Sequence, residues 1–499
     1  MGFIWNFPLF TIVLSLFSGV LCTMLSKRAA KRYTIAFEGV LLALCSLVLY
    51  YTLQRGSFTY PMGEFPAPWG NEIRAGVLEA LIAVAFVIIL LCSVVAGSKY
   101  LDVDLDESKG NLYFSLVNLM TSALMAMTWT NDIFSGYVFL EILTLTSVGI
   151  LIVREIGRTT LAAMRYIILN LMGSGLFLLG VVLLYDITGH LLMVNMHGAI
   201  EELAADPAHL PVLSLSIGIL TIGLSIKSGL FPFHFWMPDT YGRATPVSAS
   251  LLSSLVSKSY IFLLIKIYYR VVGLDVMELL PIGRILLVLG MLGIVFGSVS
   301  AMHADNINRM VAFSSAAQVG YIFMGIGIGG TAGYVAALFQ ILAHAVTKSQ
   351  LFLTTPRFSE VSGGSLLFKK LQGAALRSRA AGWYFTLGAL SMIGIPVMAG
   401  FSSKLLFAQA AVGSGSEALF IWVMIVLAIS STLNAYYFMR TLIRIYTLPA
   451  GERMPKSEPG DYSPSYQIPM LVMTAGNLFL GLFSWVVIDL LEKGLAMFA

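Results

Sequence analysis

The chain has 499 residues, of which 58% are hydrophobic and only 11% charged, with a formal net charge of +4. Soluble domains carry about 25% charged residues, so the composition excludes a soluble fold and indicates an all-α polytopic membrane protein. The small basic excess fits cytoplasmic loops better than a nucleic-acid partner, and no basic-aromatic motif supports the latter.

The first apolar stretch, Phe7 to Met24, is long enough to span and lacks a small-residue cleavage site, so it reads as a membrane helix and not a signal peptide. Counting about 20 apolar residues per span gives roughly fourteen helices. They fall near 7–24, 34–53, 76–97, 111–130, 133–153, 163–186, 212–232, 245–268, 279–300, 308–328, 331–354, 382–407, 418–443 and 468–491. Odd-numbered loops hold Lys27, Arg28, Lys31 and Arg32, then Arg154 and Arg158, then Lys369, Lys370, Arg377 and Arg379, then Arg444, Arg453 and Lys456. Residues 187–211 carry Glu201, Glu202 and Asp206 but no Lys or Arg. The positive-inside rule therefore places odd loops in the cytoplasm and both termini outside. Cys22, Cys45 and Cys92 lie at unrelated spacings. Disulfides, zinc sites and iron–sulfur clusters need paired or more numerous thiolates. No cofactor, metal or redox centre is expected, nor a catalytic residue; whether the chain serves an enzyme depends on its partners.

Two spans are interrupted. The seventh, within 213–233, carries Lys227 and breaks at Pro232, followed by His234, Trp236 and Pro238. The twelfth breaks around Pro396 and Gly400, with Lys404 just beyond. Broken helices at corresponding places in two halves point to inverted repeats with an ion site between them. The expected units are two five-helix repeats inside one membrane domain, 111–270 and 278–443, each a half-channel.

Ionisable residues inside spans cost roughly 2.5–3.5 kcal/mol each on insertion scales and mark ion pathways. Glu141 lies in span five, Lys227 in seven, Lys258 in eight, His344 and Lys348 in eleven, and Lys404 after the break in twelve. The i,i+4 spacing of His344 and Lys348 puts them on one helix face. Such a row suits proton relay, because moving one charge changes the proton affinity of the next. Glu141 beside Lys227 would hold that lysine charged, and Lys258 would oppose it. Glu79 and Lys266 read as structural, and His234 as an accessory candidate. Gly325, Gly327 and Gly330 match G-x-G-x-x-G, but they end an apolar helix, so close packing or a turn is expected and not a dinucleotide site.

These residues resemble a known family. The stretch KSGLFPFHFWMPDTYGRATPVSASLLSSLVSK (227–258) is similar to the signature of antiporter-like subunits: the large Mrp-type cation/proton antiporter subunits, the antiporter-like subunits of respiratory complex I, and relatives in membrane-bound hydrogenases. RYIILNLMGSGLFLLGVVLLYDITG (165–189), DNINRMVAFSSAAQVGY (305–321), HAVTKSQLFL (344–353) and GIPVMAGFSSK (394–404) agree. The resemblance implies a fourteen-helix fold with two inverted repeats. It also implies Glu141 paired with Lys227, Lys258 as a bridging lysine, His344 and Lys348 as a central relay, and Lys404 as the terminal group. Around Lys258 the chain reads SKSY where many relatives have Gly after the lysine. GEFPAPWGNE (63–72) resembles an early region of the Mrp D-type chain. The expected function is proton translocation in a D-type sodium/proton antiporter complex of a prokaryotic cytoplasmic membrane. Its partners would be other membrane subunits and H+, with Na+ as well if sodium crosses this chain. The alternatives are an ion-pumping subunit of an NADH:quinone oxidoreductase or membrane-bound hydrogenase, and a non-transporting scaffold.

Overall fold

Apolar runs become long helices whose first turns are closed by short polar side chains. Asp132, Thr245, Asn306 and Ser416 each accept a backbone N–H from the turn that follows, satisfying amides that lipid cannot. The computed structural model describes residues 2–65, 70–154, 156–449 and 463–498. Among these, twelve helices are long and apolar enough to cross a membrane, or thirteen if the bent pair Pro464–Leu482 and Ser484–Ala496 forms one span.

Two of the fourteen expected spans take another form. Segment 382–407 falls in two 15-residue helices, Arg379–Ile393 and Ala399–Gly413. At 1.5 Å per residue each is too short to cross alone. Segment 468–491 bends by 80° near Phe483. The helix after the bend, Ser484–Ala496, carries Asp489, Glu492 and Lys493, which hydrocarbon would reject. Of the 63–72 stretch, residues 66–69 lie outside the described residues, as do Arg453 and Lys456.

Beyond the helices, Phe58–Pro61 and Glu72–Ala75 form one antiparallel hairpin, with Phe58 opposite Ala75 and Pro61 opposite Glu72. It marks the face that carries both chain ends. Trp5 stacks on Phe58 with ring centroids 5.9 Å apart. Arg74 donates to the carbonyl of Phe498 at 3.0 Å and to that of Met497.

Burial separates the helices into a centre and a rim. Pro246–Val272 is buried along its whole spanning window, whereas Lys27–Arg55 and Glu417–Tyr446 are 28% buried. Small residues bring the second-half helices close: a Cβ on Gly320 would lie 2.7 Å from the Gly290 carbonyl oxygen and 2.7 Å from the Ile294 nitrogen, the close approach that membrane helices use in place of a hydrophobic drive. The glycine-rich run ending Ile307–Ile328 does the same. A Cβ on Gly327 would meet Leu287 backbone, and Gly329 and Gly330 take positive φ in the turn.

Candidate functional site

The first break is made by glycine. Leu210–Ser228 ends at Gly229 (φ 76°), where the N–H groups of Gly229 and Leu230 both donate to the Ser225 carbonyl at 3.0 Å. Pro232 follows three residues later, exposed on the outer surface. Lys227 therefore sits in the last helical turn, where free carbonyls favour a cation. Its Nζ is fully buried, donates to Thr144 Oγ1 at 2.7 Å and lies 5.3 Å from the Tyr260 ring centre. Thr144 is one turn beyond Glu141 on Ile133–Ile152. The ammonium thus bonds to a hydroxyl of Glu141's helix instead of closing an ion pair with the carboxylate, whose buried Oε1 has no donor.

Tyr260 leads to Lys258, two residues back on the central helix. That helix widens into a π turn over Leu252–Val256, a feature often found at functional sites. Lys258 Nζ reaches back to the Ser253 carbonyl and to Ser257 Oγ at 3.1 Å. After it, Ser259 in the SKSY stretch faces Met127 Sδ at 3.5 Å.

Gly330–Glu360 supplies the next two groups. Lys348 donates to the Val311 carbonyl at 2.9 Å and to Ser314 Oγ. His344 is within electrostatic reach of both Lys258 and Lys348. Both its ring nitrogens are buried without a protein partner. It lines a cavity of about 10 Å³ with Gln318, Gln340, Thr347 and Lys404, space on the order of one water molecule. Gln340 joins Gln318 on one side, and Ser403 Oγ donates to Gln340 Oε1 at 2.5 Å on the other.

The second break repeats the first. Arg379–Ile393 ends at Gly394 (φ 91°), and Ile395 N–H returns to the Leu390 carbonyl at 3.1 Å. Pro396 is exposed, like Pro232. Lys404 Nζ, one helix on, takes the freed Ile393 carbonyl at 2.6 Å and Ser431 Oγ at 2.9 Å. His234 stands apart: half-buried in the turn after the first break, it stacks on Phe231 at 5.7 Å, with its Nδ1 unpartnered.

Another buried lysine of the central helix is held differently. Lys266 donates only to backbone carbonyls, those of Thr128 at 2.7 Å, Thr130 at 2.6 Å and Met127 at 3.5 Å, with Glu79 within electrostatic reach. Lys227, Lys258, Lys348 and Lys404 each have a hydroxyl partner, alone for Lys227 and beside a backbone carbonyl for the other three: Thr144, Ser257, Ser314 and Ser431. A carbonyl only accepts, whereas a hydroxyl can accept from an ammonium or donate to a neutral amine. The sequence reading missed these hydroxyls, the Gln318–Gln340 amides and Tyr260. Neutral polar residues are common in membrane helices, and only the packing shows which of them meet the lysines. Among the described residues the three cysteines are free and buried, and no group of three or more His, Cys, Asp or Glu side chains could hold a metal.

Residues 130–432, which contain Glu141, Lys227, Lys258, His344, Lys348 and Lys404, match the family model described as NADH:quinone oxidoreductase/Mrp antiporter, TM. The chain belongs to that family. It is 31% identical over 497 residues to the N subunit of the NADH-quinone oxidoreductase of Desulforudis audaxviator, covering 96% of each chain. It is 24% identical over 443 residues to the D subunit of the Na(+)/H(+) antiporter of Bacillus subtilis, covering 88% of this chain and 87% of that one. A chain of the membrane-bound sulfane sulfur reductase, an archaeal respiratory membrane complex, shares the fold with a TM-score of 0.86 at 24% identity, over 98% of this chain and 97% of the other. The protein is an antiporter-like integral membrane subunit.

Proposed function

We propose that this subunit translocates protons within a larger membrane complex. The path runs along Glu141, Lys227, Lys258, His344 or Lys348, and Lys404. The observation that carries this reading is the hydroxyl on each relay lysine. An amine bonded to a hydroxyl keeps a partner whether it holds the proton or has passed it on, so the proton can leave without orphaning a buried group. The unpartnered imidazole of His344 beside a water-sized cavity places a side chain able to take up and release a proton at the middle of the row. A change of charge at Glu141 would couple the row to a neighbouring subunit. In this reading 111–270 and 278–443 are the two half-channels, odd loops face the cytoplasm, and other membrane subunits are the partners.

The test is Lys227→Ala in the complex purified through this chain and reconstituted in proteoliposomes. Proton uptake should be lost while the complex still assembles; transport at the wild-type rate would overturn the relay and leave the scaffold reading.

The driving force separates two assemblies. The D-type sodium/proton antiporter expected from residues 63–72 requires that the complex exchange protons against Na+, through this chain or a neighbouring subunit. A redox-driven pump is the second reading, favoured by the 31% identity to an oxidoreductase N subunit against 24% to an antiporter D subunit. Iron–sulfur or quinone-binding subunits in the purified complex would select the pump; their absence, with Na+-dependent proton movement, would select the antiporter.

A further inference from the structure

Glu38 lies outside the relay, near the middle of Lys27–Arg55, and outside residues 130–432 that match the family. It is fully buried. Its Oε1 accepts from Thr121 Oγ1 at 2.8 Å, and its Oε2 has no partner. One turn earlier on each helix, Asn118 Nδ2 donates to Thr34 Oγ1 at 2.8 Å, and Asn118 Oδ1 is likewise buried without a donor. Thr34 and Glu38 are spaced i,i+4, Asn118 and Thr121 i,i+3, so each pair occupies one face of its helix.

Among the described residues no cation answers this carboxylate. The helices packed against Lys27–Arg55 are Phe7–Thr23, Val77–Ala96 and Gly110–Trp129. None contains a Lys, Arg or His, and their single charged residue, Glu79, lies in the first turn of Val77–Ala96. The basic residues of its own helix are at the ends, Lys27 to Arg32 and Arg55. Two thiols lie in the same layer: Cys22, beside Thr34 and Asn118, and Cys45, within electrostatic reach of Glu38. A buried carboxylate with one hydrogen bond and no counter-charge does not stay ionised and unaccompanied. Two acceptor oxygens without donors, on adjoining turns, mark where the missing positive charge belongs.

We propose that Glu38, with Thr121, Thr34 and Asn118, is a monovalent-cation site in the N-terminal helix layer, holding one proton or, in exchange, one sodium ion. It does not depend on the relay reading. The seam gives the protein an ion-binding position beside the two half-channels and separate from them.

The test is infrared difference spectroscopy of the complex purified through this chain, wild type minus Glu38→Gln. At neutral pH in K+ medium the difference should contain one protonated-carboxyl C=O band per chain, shifted in D2O. Its loss on raising the pH alone identifies proton occupancy; its replacement by carboxylate bands when Na+ is substituted for K+ identifies sodium exchange. A carboxylate signal that answers to neither pH nor Na+ overturns the site. Should Glu38→Gln not assemble, Thr121→Val, which removes the single donor to Oε1, must move the same band in an otherwise intact chain; an unmoved band also overturns it.

Discussion

Replacing Lys227 and Lys266 by methionine, one at a time, sets two buried lysines of equal charge against each other. Methionine nearly fills the lysine volume, so the comparison isolates the ammonium. In Lys227→Met one hydrogen bond to a charged group is lost, worth roughly 1.5–3 kcal/mol. Thr144 still donates to the Leu140 carbonyl at 2.9 Å and meets the Tyr260 hydroxyl at 3.2 Å, so no buried group is orphaned. Removing a desolvated cation returns several kcal/mol, and the net change in stability should lie within about 2 kcal/mol of zero. In Lys266→Met the Thr128 and Thr130 carbonyls lose their lysine donor. At roughly 1–3 kcal/mol for each buried group left unsatisfied, this is a cost of about 2–6 kcal/mol that Lys227→Met does not carry, the return from removing a desolvated cation being common to both. The expected result is crossed: Lys227→Met assembles with a near-native melting midpoint but takes up no protons, while Lys266→Met falls in yield and melts earlier. Thermal unfolding of the purified complex and dye-reported proton uptake in proteoliposomes measure both. Lys227→Met destabilised as much as Lys266→Met, or pumping normally, would refute the division between switching and structural lysines.

Gln340→Leu removes the amide joining Gln318 to Ser403 and should slow proton uptake at least tenfold with assembly retained, as read in the same liposomes. Gly320→Val places side-chain atoms against the backbone of Gly290 and Ile294. Overpacking of this kind costs about 1–3 kcal/mol or more, so detergent-extracted complex should lose yield without a selective loss of transport. Arg74→Ala frees the carbonyls of Met497 and Phe498, and limited proteolysis should then cut within Ser484–Ala496 faster than in wild type.

The buried charged residues proposed as the relay stood out in the sequence because a charge inside an apolar run is conspicuous at any register. Their partners were not. Thr144, Ser314 and Ser431 are ordinary residues for a membrane helix, and only the packing of neighbouring helices assigns each to a lysine. Pro232 and Pro396 correctly flagged two interrupted segments, but the helices stop at Gly229 and Gly394, because a left-handed cap ends a helix before proline has to. The expected contact between Glu141 and Lys227 depended on side-chain reach, and in the structure the neighbouring threonine intervenes. Glu38 was readable as a carboxylate within 34–53. The sequence reading did not single it out, and only burial sets it apart from the bases at the start of its helix.

The central helix, Pro246–Val272, carries Lys258, Lys266 and Arg270 and presents no face to lipid. At about 2.5–3.5 kcal/mol per basic residue near mid-bilayer, the three together would resist independent release into hydrocarbon by up to roughly 10 kcal/mol. During synthesis this segment therefore has to leave the insertion machinery together with neighbours already in the bilayer. The helices before it, Gly110–Trp129 among them, offer the carbonyls that Lys266 needs. The order of spans along the chain is thus also an order of assembly, in which this fully buried, cation-bearing helix arrives after part of its socket exists.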